Sequence, residues 1–304
     1  MQQSGKGGRH GWRFRAALGT LAVAGAAAAA SPSRPAAAPH WRDGLAIQIW
    51  AYNDALKNKD APSPVPKIDV PSALSRIKAM GVDQVEVMHV PGYSAAQMRT
   101  ALDKAGMRAV SVQMDYDRMR DDLPGAIAAA KALGVSQVGI SAIKIFGPQG
   151  YHLLNIADTE EAGEVLAKAC ASAQAAGMRT FLHIHGNDLH MLDGKTALDR
   201  IIDKAGGCFD IEADIYWIRS AGVDPVAFIN KYGAKVTSLH LKDWKPARGT
   251  ALPFPPLGKG DLNLPAIMKA AQAAGVRHYI IEDESGDPDT QLPQSLTYLA
   301  SIGK

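Results

Sequence analysis

One phrase recurs along this sequence and leaves few folds open to it. A run rich in Ala and Lys ends in a Gly, and a β-rich segment follows: KAMGVDQVEVM, DKAGMRAVSVQM, KALGVSQVGIS, QAAGMRTFLHIH, DKAGGCFDIEAD, NKYGAKVTSLHLKD and QAAGVRHYIIEDE. Glycine closes a helix because it adopts the left-handed conformation without steric cost. The apolar run behind it suits a parallel strand buried on both faces. The seven glycines, Gly81, Gly106, Gly134, Gly177, Gly206, Gly233 and Gly275, lie about one βα unit apart. With the opening segment LAIQIW they predict eight strands in about 260 residues, which fits a closed (β/α)8 TIM barrel of the α/β class. An open doubly wound sheet would need a glycine-rich phosphate loop after its first strand, and LAIQIWAYND has none. A single barrel domain is therefore expected over residues 41–304, with the Pro-rich stretches APSPVPKIDVP and TALPFPPLGKG as βα loops after strands 1 and 7.

Residues 1–38 read differently. Lys6, Arg9, Arg13 and Arg15 precede an uncharged Ala/Gly/Leu/Val stretch from Ala16 to Ala30, and small residues with Pro follow. That layout predicts an export signal and linker, hence a periplasmic or secreted protein. The apolar stretch is too short and too weakly hydrophobic for a spanning helix, so no stable membrane insertion is expected once the signal is cleaved. The formal charge is +3, but five basic residues and no acidic one lie before residue 39, which leaves the rest of the chain two units acidic. Nucleic acid is excluded as a partner on that ground. Two cysteines, Cys170 and Cys208, lack metal-ligand spacing and are expected to be two buried small residues rather than a bridge.

Barrel chemistry is housed where the strands end at their C-termini. Reading those ends in order gives Gln48, Glu86, Gln113, Ser141, His183 with His185, Asp214, His240 with Lys242, and Glu282 with Glu284. Period-two alternation puts His183 and His185 on one face of their strand, and does the same for Glu212 with Asp214, His240 with Lys242, and Glu282 with Glu284. Imidazoles and carboxylates brought together inside a barrel need a positive charge between them. One divalent metal ion held by His183, Asp214, His240 and Glu282 supplies it. Mixed nitrogen and oxygen ligation favours Mn²⁺, Co²⁺, Zn²⁺ or Fe²⁺ over Ca²⁺. His185 is the alternative to His183 as the ligand from strand 5.

The neighbours of this cluster have more than one reading. Glu86 orients a ligand, touches a substrate hydroxyl in a catalytic role, or simply pairs with a cation. Lys242 neutralises a developing oxyanion or forms a structural ion pair. Gln48 and Gln113 are expected to bind substrate. Trp217 and Trp244, in βα loops, either stack on a sugar face or cover helix ends. His89, His152, His190 and His278 are read as structural histidines.

Several of these segments resemble the xylose isomerase-like superfamily, known from sugar phosphate isomerase/epimerase and endonuclease IV-like proteins. The resemblance runs from about Gly44 to Glu284. It is carried by GVDQVEVM, LHIHGNDL, DIYWIRSAGVDPVAFINKYGAKVTSLHLKDW and GKGDLNLPAIMKAAQAAGVRHYIIEDE. It implies a barrel with one divalent metal held by a strand 5 residue, Asp214, His240 and Glu282. Many epimerases of the superfamily place a Glu where this chain has His183, and use two carboxylates as paired bases. With Glu282 alone in place, His185 becomes the candidate partner base.

The chemistry so implied begins with proton removal beside the carbonyl of a keto or aldose sugar, the metal stabilising the enediolate. Return of the proton to carbon isomerises or epimerises the sugar, and the expected substrate is non-phosphorylated because no Arg cluster is evident. Loss of an adjacent leaving group would instead make a lyase or hydrolase of 3-oxo-glycosides. A carbohydrate-binding barrel that has lost its chemistry is the third possibility. A homodimer is the expected assembly, cyclic dimers being the commonest soluble oligomers.

Overall fold

The computed structural model describes residues 40–57, 68–90, 92–144, 146–147, 150–247 and 253–302. The export signal and linker expected over residues 1–38 lie outside the described residues, as do parts of both Pro-rich loops. Eight parallel strands form a closed barrel: β1 (Leu45–Gln48), β2 (Gln84–Val87), β3 (Arg108–Met114), β4 (Gln137–Ile140), β5 (Arg179–His183), β6 (Asp210–Asp214), β7 (Val236–Leu241) and β8 (His278–Ile281). A major helix follows each strand: α1 (Val70–Ala79), α2 (Ala95–Ala105), α3 (Leu123–Leu133), α4 (Ile156–Ala175), α5 (Ala197–Lys204), α6 (Pro225–Tyr232), α7 (Leu264–Ala274) and α8 (Pro288–Ile302). No described helix is long and apolar enough to cross a membrane.

Helix starts and stops follow local chemistry. Side chains of Asp69, Ser94, Asp122, Asn155, Thr196, Asp224 and Asn263 accept hydrogen bonds from first-turn amides of α1 to α7. Gly106, Gly134 and Gly275 cap α2, α3 and α7 in the left-handed conformation. Gly233 differs: its φ of 52° is paired with a ψ of −127°, and a short 3-10 turn, Gly233–Lys235, runs on into β7.

Strand register positions the interior. Gln48 pairs with Glu86 across β1 and β2, and Glu86 with Ser111 across β2 and β3 after a one-residue slip. On the opposite wall Glu212 pairs with both His183 and Ser238, and Asp214 pairs with His240 one step higher. Apolar side chains of the same strands, among them Ile47, Val85, Leu182, Ile211, Leu239 and Ile281, are buried against the helices. Ala46, Val110 and Ile280 form a small apolar cluster of their own. Gly139 on β4 has no side chain because the Phe181 ring occupies the space a Cβ would need.

The cysteines correct the sequence expectation. Cys170 of α4 and Cys208, just before β6, form a disulfide with their Cα atoms 6.2 Å apart. They are 38 residues apart in the chain, and the rotation of α4 that brings them together is a packing outcome. Closing a loop of that length restricts the unfolded chain, so Cys170→Ser is expected to cost about 2–4 kcal/mol. A melt under non-reducing conditions checks this, and equal midpoints for variant and wild type would contradict it.

Candidate metal centre

The strand ends bring His183, Asp214, His240 and Glu282 together, one donor atom from each lying within 4.8 Å of the others. His183, Asp214 and His240 are buried and Glu282 is nearly so, its side chain 9% exposed. Asp214 Oδ1 caps the short helix Ile215–Ser220 by accepting from the Tyr216 and Trp217 amides at 2.8 and 3.1 Å. Its other oxygen, Oδ2, is buried without a hydrogen-bond partner among the described residues and lies 3.9 Å from His183 Nε2. Burial lifts the Asp214 carboxyl to about 7, Glu282 adding to the rise and Lys242 opposing it. A buried carboxylate oxygen left in this state is costly, and a cation at that point would satisfy it. With two imidazoles and two carboxylates as donors, the set fits a divalent transition metal.

Charge around the four is arranged in layers. Glu282 is held well below the ordinary carboxylate range, because Lys242 and His240 outweigh its burial. Burial and the nearby His240 keep His183 below its usual value, so its imidazole is neutral, as a ligand must be. His240 is driven up by Glu212 and Glu86 despite its burial. Its Nδ1 lies 3.2 Å from Glu282 Oε2 and its Nε2 2.7 Å from Glu86 Oε1.

Beneath the four lies a second, fully buried polar layer. Glu86 accepts from Gln48 Nε2 at 2.8 Å, from Gln113 Nε2 at 2.9 Å and from the Ser111 hydroxyl. Glu212 accepts from Gln113 Nε2 at 2.7 Å and from Ser238 at 2.9 Å, and lies 3.1 Å from His183 Nδ1. Burial and the charge of Glu212 push Glu86 up to about 8, while His240 and His183 hold Glu212 well below its ordinary value against its own burial. Glu86, Glu212 and His240 also approach one another as a possible ligand set. Protein donors already occupy both oxygens of each carboxylate there, whereas Asp214 Oδ2 has none among the described residues, so the upper set fits an ion better.

This geometry revises several sequence expectations. Gln48 and Gln113, expected to bind substrate, are 1% and 3% exposed and spend their amides on carboxylates of the lower layer. Glu86, read as orienter, catalytic contact or ion-pair partner, is equally enclosed and lies 2.7 Å from His240 Nε2. Lys242 takes the ion-pair reading: its ammonium lies 2.7 Å from Glu284 and 3.4 Å from Glu282, among the rings of Tyr216, Trp217 and Phe254 at 5.3, 5.1 and 4.8 Å. Trp244 turns to Arg219, whose guanidinium sits 5.0 Å over its ring.

His185 and Trp217 do lie beside the cluster. The His185 ring is 4.7 Å from His183 and 5.4 Å from Trp217, and its buried Nδ1 has no hydrogen-bond partner among the described residues. Burial and the neighbouring His183 keep it well below its usual value, hence uncharged. Of the histidines read as structural, His152 contacts Asp158 at 2.8 Å and His190 the Asn187 carbonyl at 2.7 Å.

Two acids of the site, Glu212 and Asp243, have no role in the sequence reading. Glu212 shares a strand face with Asp214, and that spacing was its signal. Asp243, next to Lys242, gathers the amides of Trp244, Gly258, Gly260 and Leu262, tying together the described ends of the loop after β7. A Cβ at Gly260 would collide with the Asp243 carboxylate.

Comparison with known proteins gives a consistent picture. No curated protein matches the sequence. A sugar phosphate isomerase/epimerase from Parabacteroides distasonis is similar in structure with a TM-score of 0.65 and 19% identity, covering 86% of this chain and 96% of its own. A xylose isomerase-like TIM barrel protein from Mycobacterium smegmatis, in complex with magnesium, has a TM-score of 0.66 and 16% identity over 86% of this chain and 96% of its own. A probable 3-DHS dehydratase from Bacillus anthracis has a TM-score of 0.60 and 12% identity over 84% of this chain and 98% of its own. At such identities these neighbours speak for the fold. The family model described as xylose isomerase-like TIM barrel matches residues 74–302, most of the chain, and the protein belongs to that family.

Proposed function

We propose that this protein is a metal-dependent sugar isomerase or epimerase acting on a non-phosphorylated keto or aldose sugar. The observation that carries this is Asp214 Oδ2, without a partner among the described residues and grouped with His183, His240 and Glu282, with an uncharged His185 beside them. The four residues would hold one divalent ion, which when bound polarises the sugar carbonyl and acidifies the neighbouring C–H. The M. smegmatis neighbour is in complex with magnesium; the two imidazoles here favour Mn²⁺, Co²⁺, Zn²⁺ or Fe²⁺.

The residues around the ion site divide the remaining work. His185 takes the proton on its Nδ1 and returns it to the adjacent carbon for isomerisation, the hydroxyl proton passing between the two neighbouring oxygens; for epimerisation the proton comes from the other face, where Glu282 is the partner acid. Lys242, fixed by its aromatic cage, holds Glu282 ionised and in place. Trp217, packed on His185, gives the sugar an apolar face to stack against. The charge of Lys242 is already spent on two glutamates, which supports an uncharged sugar over a phosphate ester.

A 3-oxo-glycoside lyase is the second reading. His183 and His185 stand where a second carboxylate would otherwise serve, and one neutral base suits abstraction followed by loss of a leaving group. The dehydratase neighbour performs an elimination by its name. We also propose export to the periplasm or medium, supported by the composition of residues 1–38 and by a disulfide, which persists in oxidising compartments.

The test is incubation of Mn²⁺-loaded protein with a panel of keto and aldose sugars in D₂O. Deuterium is expected at the carbon beside the carbonyl, and His185→Gln is expected to slow its incorporation by about 10²–10⁴-fold. A panel without incorporation would remove the isomerase reading, and aglycone release from 3-oxo-glycosides would install the lyase in its place.

A further inference from the structure

The buried layer under the ion site is an expensive construction. Two glutamates lie fully enclosed inside the barrel, where well-packed apolar side chains of similar volume would serve stability as well or better. Each is nevertheless held at both oxygens. Ser111 holds Glu86 Oε2, Ser238 holds Glu212 Oε2, and Gln113 bridges the two Oε1 atoms. Gln48 adds a further amide to Glu86 Oε1.

This arrangement decides where the histidine protons sit. Each Oε1 already accepts from a glutamine amide nitrogen, which only donates. An ionised carboxylate oxygen only accepts, so in the ionised pair the histidine nitrogen meeting the same oxygen is the donor. His183 faces Glu212 with Nδ1 at 3.1 Å, and His240 faces Glu86 with Nε2 at 2.7 Å and Glu212 with the same atom at 3.2 Å. The opposite nitrogens point at the ion site: His183 Nε2 toward Asp214 Oδ2 at 3.9 Å, and His240 Nδ1 toward Glu282 Oε2 at 3.2 Å.

We propose that Glu212 and Glu86 are positioning residues of the metal centre, each taking the proton-bearing nitrogen of one histidine so that His183 ligates through Nε2 and His240 through Nδ1. This rests on the reading of the four upper residues as metal ligands. The layer would thus act through the histidines, fixing ring orientation and raising ligand basicity, without touching metal or substrate. Register explains its level: Glu212 pairs with His183 and Ser238 one step below the Asp214–His240 pair.

The experiment measures Mn²⁺ affinity of the full chain by the loss of the free-ion EPR signal, for wild type, Glu212→Gln, Glu86→Gln, Ser238→Ala and Ser111→Ala, with melts of the chelator-treated proteins alongside. The glutamine variants are expected to bind Mn²⁺ about 10–100-fold more weakly and to shift the d–d band of the Co²⁺-loaded form. The serine variants, which loosen a carboxylate without removing it, are expected to bind severalfold more weakly and decide the matter where a glutamine variant does not fold. Folded variants with wild-type affinity and an unshifted band would overturn the proposal and leave the layer as a structural network. A wild type that takes up no Mn²⁺ would instead remove the ion-site reading, and the proposal with it.

Discussion

Asp214→Asn is expected to abolish metal binding and lower turnover by at least about 10³-fold while leaving the metal-free fold as stable as wild type. The two effects separate because the two oxygens of Asp214 do different things. Oδ1 caps the helix Ile215–Ser220, and the asparagine carbonyl retains that bond. Oδ2 has no partner among the described residues. The folded-state pKa of this acid is raised to about 7, so above that value the folded protein bears an ionised, buried oxygen that the unfolded chain would hydrate. Asparagine removes that cost. Melts with chelator at pH 8 should therefore place the variant level with wild type or above it, and a midpoint several degrees lower would mean that Asp214 is structural.

His240→Ala should behave in the opposite way and be the most damaging single change to stability. In the metal-free protein His240 is the cation among Glu86, Glu212 and Glu282, with approaches of 2.7, 3.2 and 3.2 Å, and it gives up its Nδ1 proton when that atom ligates an ion. Truncation leaves three buried carboxylates facing one another, and removing one partner of a buried pair costs about 3–5 kcal/mol. For a domain of this size that is a fall of roughly 10 °C in the melting midpoint, seen with and without chelator. The variant also lacks a metal ligand, so added Mn²⁺ should not raise its midpoint as it would raise that of wild type. A loss below about 1 kcal/mol would show that the charge network is not arranged around His240.

The barrel was legible because the helix–glycine–strand phrase repeats and each copy encodes the same local events: a capped stop and then an apolar run. Gly233 was the imperfect copy, its helix running into a 3-10 turn in place of a left-handed cap. The four upper residues were legible because alternation fixes the face of each side chain and consecutive strands adjoin in the barrel. Depth was not legible. Gln48, Glu86 and Gln113 have the right face, but the register of β1 to β3 sets them one layer below the mouth, where they meet carboxylates. Glu212 was passed over for the same reason, since alternation alone does not say which of two acids on one face reaches the rim. The disulfide depends on the angular position of Cys170 on α4, and the turn of Trp244 toward Arg219 on the conformation of the loop after β7. Neither has a local sequence signal.

The central claim is that strands β5 to β8 build one divalent-metal site. Elemental analysis of wild type and Asp214→Asn, both purified without chelator, tests it most directly. The expected result is about one Mn, Co, Zn or Fe per wild-type chain and none in the variant. A wild type that is metal-free and stays so when each ion is added would contradict the account.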